Sequence, residues 1–145
     1  MDKMVRPYRM AYEILREAGL RPTRQRLGLA RILFDKGDRH VTAEQLHLES
    51  AEANLRVSLA TIYNTLHQFT EAGLLREVVV EPGRSYFDTN TSDHHHFFHE
   101  ETGDLQDIPG EAIAVGQLPL PPEGTSVQRV DIIVRVAGNP RNSSI

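Results

Sequence analysis

SLATIYNTLHQFTEAGLLREVVVEPGRSYFD, residues 58–88, holds the signals that decide the fold. Ser58 is expected to cap a helix through Ala72, since a serine Oγ can accept from an N–H of the first turn that has no partner within the helix. Gly73 ends the helix, because glycine takes a left-handed stop at little cost. Ile62, Leu66 and Phe69 recur at helical spacing as the buried stripe, which leaves Thr61, Asn64, Thr65 and Gln68 toward the other side. Residues 74–80 are rich in β-formers, Glu81-Pro82-Gly83-Arg84 fits a turn, and Ser85-Tyr86-Phe87-Asp88 reads as the returning strand.

Working back toward the start, three more helices precede this stretch. Tyr8, Ala11, Leu15 and Ala18 share one face of a helix over residues 7–18, closed by Gly19. Thr23 can cap a second, running to about Lys36, with Leu27, Ala30, Leu33 and Phe34 inward. Thr42-Ala43-Glu44-Gln45 is a capping box flanked by Val41 and Leu46 at hydrophobic-staple positions, which predicts a third helix to about Ala53. Two short helices with a tight link, the second presenting small polar side chains, form a helix-turn-helix candidate. The hairpin tipped with Arg84 makes its order that of a winged helix. On this reading Arg24, Arg56, Ser58, Thr61, Tyr63, Asn64, Arg76 and Arg84 form the DNA-facing set. Asn64 can pair with adenine, while Arg76 and Arg84 contact phosphates. A plain helical hairpin with a solvated face is the alternative for the helices alone.

Beyond Asp88 the composition changes. The polar link 89–92 reads as a hinge, dividing the chain into a DNA-binding domain 1–88 and a second domain 93–137, with a disordered tail 138–145. The second domain opens on Asp93-His94-His95-His96-Phe97-Phe98-His99, four of the seven histidines within six residues. Imidazole is the commonest side-chain metal ligand. In a strand, His94, His96 and Phe98 would face one way and His95, Phe97 and His99 the other. Gly103-Asp104 suggests a turn, 105–108 a short strand, 110–117 one or two helical turns, and 127–136 an alternating strand. Such a small unit with apolar strand faces calls for a second copy of the chain, and a two-fold dimer suits a palindromic DNA site.

Charge is placed unevenly. The 145 residues carry a net charge of −4, but residues 1–80 hold +2 and residues 81–145 hold −6. That split suits a first half facing an anion and a second half rich in hard ligands, although the charge pattern by itself is more simply an ordinary solvated surface. There is no cysteine, so any soft-metal site must use histidine, and disulfides and thiolate-bound zinc are excluded. No apolar run is long enough to span a membrane, and the first residues lead into no signal-peptide core, so a cytoplasmic protein is expected.

Several segments carry a family resemblance: Leu20-Arg21-Pro22-Thr23-Arg24-Gln25-Arg26, His40-Val41-Thr42-Ala43-Glu44, Ser58 through Leu66, and the triple histidine. In order and spacing the chain resembles the ferric uptake regulator family over nearly its whole length. The resemblance implies an α+β protein: an N-terminal winged helix-turn-helix DNA-binding domain, then a small α/β dimerisation domain, with a regulatory metal site between them. Lack of cysteine, with the run from His94 to Gly103, looks most like the iron response regulator branch of alphaproteobacteria, where haem is the signal. Carried over by position, His40, His94, His96 and Asp88 match the metal ligands, for Fe2+, Mn2+ or Zn2+. Asp93, His95, His99 and Glu111 are the residues left for a second site. His99 and Thr102 stand where many members have a Cys-x-x-Cys pair, so no cysteine-ligated structural zinc is expected, and bound haem would be held by histidine. The expected function is that of an iron- or haem-responsive homodimeric regulator of iron-uptake and haem-metabolism genes. The alternatives are a metal-independent DNA-binding dimer and, from another class, a histidine-ligated zinc hydrolase built on His94, His96 and Asp88.

Overall fold

The computed structural model describes residues 8–138, and its contacts divide between Thr91 and Ser92 into two units. Each forms its own sheet.

In the first unit four helices precede a hairpin: α1 Arg9–Glu17, α2 Arg24–Phe34, α3 Ala43–Glu52 and α4 Leu59–Glu71. Their starts follow the expected caps. Thr23, Thr42 and Ser58 accept through their side-chain oxygens from the backbone N–H groups of Arg26, Gln45 and Thr61. Each thereby satisfies a donor that has no partner within the helix. Gly19, Gly37 and Gly73 follow helix ends with φ between 77° and 82°. Ala11 and Leu15, Leu27, Leu29, Ala30 and Leu33, Leu46, and Ile62, Leu66 and Phe69 meet in one core. Thr65 departs from expectation, for it is buried. Three residues after Ile62 and four before Phe69, it falls on the apolar stripe, not opposite it.

Strands β2 (Arg76–Glu81) and β3 (Arg84–Asp88) form the expected hairpin, and Gly83 takes φ 75° in its turn. A third strand, β1 (His40–Val41), pairs with β3 on its other side, giving the order β1-β3-β2. No periodicity announces a strand of two residues. The sheet has two distinct faces: Val41 and Phe87 join the helical core. One residue along, His40, Asp88 and Arg76 stand in register across the three strands on the opposite face.

Between α2 and α3, the Arg39 guanidinium donates two parallel hydrogen bonds, of 2.8 and 2.7 Å, to the carboxylate of Glu49. Arg39 holds the pKa of Glu49 below its ordinary value of 4.5. A carboxyl with a lowered folded pKa contributes stability above the unfolded pKa and loses it as pH falls through the folded one. Glu49→Gln should therefore cost about 1 kcal/mol at neutral pH. The gap between variant and wild type should close as pH drops below about 4.5, followed by urea melts across pH; a gap independent of pH would reject the ion pair as its source.

In the second unit, β4 (His94–His99) lies between β5 (Leu105–Pro109), antiparallel to it, and β6 (Ile133–Val136), parallel to it. The last strand is shorter than its alternating pattern, which began near Val127. Its register runs only from His96↔Ile133 to His99↔Val136, and one residue earlier the Ile132 N–H donates to the His95 ring, not to a backbone carbonyl. Of the segment 110–117, only Gly110–Ala112 is helical, as a single 3-10 turn. The predicted tail, beyond Gly138, lies outside the described residues. Among the described residues no helix is long and apolar enough to cross a membrane.

Candidate metal centre and nucleic-acid face

Alternation along β4 puts His94 and His96 on one face, as expected, and the strand pairing adds a third donor. His96 stands directly opposite Asp107 of β5. His96 Nε2 is 3.4 Å and His94 Nε2 3.7 Å from the same oxygen, Asp107 Oδ1. The two imidazoles meet edge to face with ring centroids 4.6 Å apart, and both are buried. Each of the three side chains offers a ligand atom within 4.8 Å of the others.

The His94 tautomer is set locally. Its Nδ1 lies 2.7 Å from the carbonyl oxygen of Ser92. A carbonyl only accepts, so Nδ1 carries the proton, and in the neutral ring Nε2 presents its lone pair toward Asp107. A ligating histidine is commonly oriented by such a backbone acceptor on its other nitrogen. Ligands about 2.1 Å from a tetrahedral ion lie about 3.4 Å from one another, close to the spacings found here. Two imidazoles and a carboxylate make a mixed N/O set that fits divalent iron, manganese or zinc.

Asp107 is the ligand candidate that sequence reasoning missed. The turn near Gly103-Asp104 announced two paired strands, but not the register that sets Asp107 opposite His96. His40 and Asp88 are brought together in the first unit as directly opposed residues, and His40 also packs edge-on against Tyr86.

The proposed second set is not gathered. His95 Nδ1 accepts from the Ile132 N–H at 3.1 Å, which anchors the approach to β6. His99 Nε2 contacts the Gln106 amide oxygen at 3.2 Å. Asp93 and Glu111 are exposed, and at Gly110 an added Cβ would come within 2.7 Å of the Asp93 carbonyl oxygen. Among the described residues, the only group of three or more potential ligands contains none of these four.

On the nucleic-acid side, Arg24, Arg56, Tyr63, Asn64 and Arg84 are exposed. Thr61 is half-buried, and its hydroxyl accepts from Ser58 at 3.0 Å, so this pair builds the helix start. The Tyr63 hydroxyl donates to Glu44 at 2.7 Å and ties α4 to α3. That bond raises the pKa of Tyr63 and lowers that of Glu44. Arg84 sits at the wing tip in an ion pair with Glu81. Arg76 corrects the expectation for the wing. It is 4% exposed and opposes Asp88 at the far end of the hairpin, about 15 Å of strand from the tip. It is not placed to meet a phosphate.

The fold and the site together define a class: a winged helix-turn-helix unit followed by a small sheet unit bearing a histidine and carboxylate cluster. The sequence profile of the ferric uptake regulator family matches residues 17–134. The chain belongs to that family. It is 36% identical over 94 residues to the peroxide-responsive repressor PerR of Staphylococcus aureus strain Mu50, covering 65% of this chain and 63% of that protein. It is 36% identical over 92 residues to the ferric uptake regulation protein of Rhizobium leguminosarum bv. viciae, covering 63% of this chain and 64% of that one. The match thus spans under two thirds of the length of either relative. The structure of the Pseudomonas aeruginosa ferric uptake regulator with manganese superposes at TM-score 0.66 and 25% identity, covering 88% of this chain and 97% of that one. This is a family of regulators, and membership sets aside the hydrolase alternative.

Proposed function

We propose that this protein is a metal-responsive transcriptional regulator that binds operator DNA as a homodimer in the cytoplasm. Its divalent-metal site is formed by His94, His96 and Asp107, with Asp88 and His40 as the donors from the DNA-binding unit. The observation that carries the reading is His94 Nε2 and His96 Nε2 converging on one oxygen of Asp107, with the His94 tautomer set by Ser92. Donors drawn from both units would let metal favour one arrangement of the DNA-binding units over another, and only such a difference in affinity between arrangements can shift DNA binding. A bound metal supplies the charge that gathers these side chains. Iron is the finer assignment for the signal, supported by the similarity to a ferric uptake regulation protein. Haem held by histidine, in the manner of the iron response regulator branch, is the competing one, and iron-uptake and haem-metabolism genes are the proposed targets.

The test is DNA affinity with and without Fe2+, Mn2+, Zn2+ and haemin. No change with any of them would leave a metal-independent DNA-binding dimer. On the DNA side, Arg84→Ala should weaken binding about equally on all sequences and flatten the dependence of log affinity on log salt by about one, whereas Asn64→Ala should relax preference at one base pair. Equal losses on every sequence from both changes would reject Asn64 as a base reader.

A further inference from the structure

We propose that Arg76 competes with divalent metal for the carboxylate of Asp88, and so sets the metal concentration at which the site fills. The proposal rests on the reading of Asp88 as a metal ligand. Its own evidence is the row His40, Asp88, Arg76, three residues in register across β1, β3 and β2. Directly opposed residues project to the same face with Cβ atoms about 5 Å apart, so Asp88 has an imidazole on one side and a guanidinium on the other. Arg76 and Asp88 are both buried, at 4% and 1% exposure.

A buried guanidinium requires a counter-charge. The described sheet residues on this face include His40, Val78, Val80 and Tyr86, and at the wing tip Glu81 is taken up by its ion pair with Arg84, which leaves Asp88, directly opposite Arg76, as the carboxylate beside the guanidinium. In the metal-free protein Arg76 therefore balances Asp88. When metal binds, one carboxylate is shared by two cations, and their mutual repulsion lowers metal affinity relative to a site with a neutral residue at 76. The same contact protects the metal-free fold, because Asp88 is never a buried charge without compensation. Arg76 stays on this face, since the pairing of β2 with β3 fixes its register opposite Asp88.

The experiment titrates wild type, Asp88→Asn, Arg76→Met and Arg76→Gln with Mn2+, following free ion by electron paramagnetic resonance, and records the melting temperature of each metal-free form. Asp88→Asn should bind Mn2+ more weakly. Both Arg76 variants should bind about tenfold more tightly and melt lower without metal, and adding Asp88→Asn should abolish the gain. If Asp88→Asn weakens binding while a folded Arg76 variant binds no more tightly than wild type, competition is overturned and the metal site stands. If Asp88→Asn binds as wild type does, the assignment of Asp88 as a ligand falls, and this proposal with it. Should neither single Arg76 variant fold, Arg76→Gln combined with Asp88→Asn should recover folding, since it removes the stranded carboxylate. Failure to recover overturns the charge pairing.

Discussion

The double variant His94→Ala, His96→Ala should lose Mn2+ binding by two orders of magnitude or more, and its DNA affinity should no longer respond to metal. Removing a group that only supports a ligand commonly costs about 10- to 100-fold in metal affinity, and this change removes two imidazoles that themselves point at Asp107. Two control variants give the result its meaning. Asp107→Asn keeps the shape of the cluster and removes its charge, so it should weaken Mn2+ markedly without unfolding β5, whose pairing to β4 runs through backbone bonds. His95→Ala should leave Mn2+ affinity within a few-fold of wild type, because its ring holds the Ile132 N–H on the other side of β4. Calorimetric titration with Mn2+, read beside DNA binding with and without the ion, separates these cases. Retained binding in the double variant would move the site away from β4 altogether. The same series answers the haem question: haemin binding kept by the double variant and lost in His95→Ala or His99→Ala would place haem on the opposite face.

Phe69→Ala should be the most damaging single change to the fold of the first unit. Phe69 is fully buried and packs against Phe34 with ring centroids 6.5 Å apart, within the cluster that joins all four helices to Leu75 and Phe87. Truncating a buried phenylalanine to alanine typically costs about 3–5 kcal/mol, the sum of lost transfer energy and the cavity left behind. For a unit of this size that lowers the melting temperature by on the order of 20 °C. Ser58→Ala removes a helix cap and should cost about 1 kcal/mol, so the core change should exceed the cap change several-fold. Thermal unfolding followed by circular dichroism measures both. A loss under about 1 kcal/mol for Phe69→Ala would mean that α4 is not seated on this core.

Local patterns carried much of the fold because the forces they report are local. A cap needs only an oxygen and an N–H three residues on, which is why Thr23, Thr42 and Ser58 were legible. The hairpin of β2 and β3 was legible for the same reason, its turn being set by Pro82 and Gly83. Periodicity also separated the two faces of β4, since alternation is a property of one strand by itself. Thr65 is buried despite its polar side chain, because its angular position on α4 falls within the apolar stripe.

What sequence alone determined about this protein is the order of its elements, their starts and stops, and the two histidines that share a face. Tertiary structure decided what meets across strands. Strand register made Asp107 a partner of His96, set His40 and Arg76 on either side of Asp88, and took Arg76 from the wing into the sheet. The physical reason is that register is fixed by pairing between segments, through hydrogen bonds and buried faces that no single segment contains. A carboxylate in a chain is a charge of ordinary kind; opposite a buried imidazole it becomes a candidate ligand.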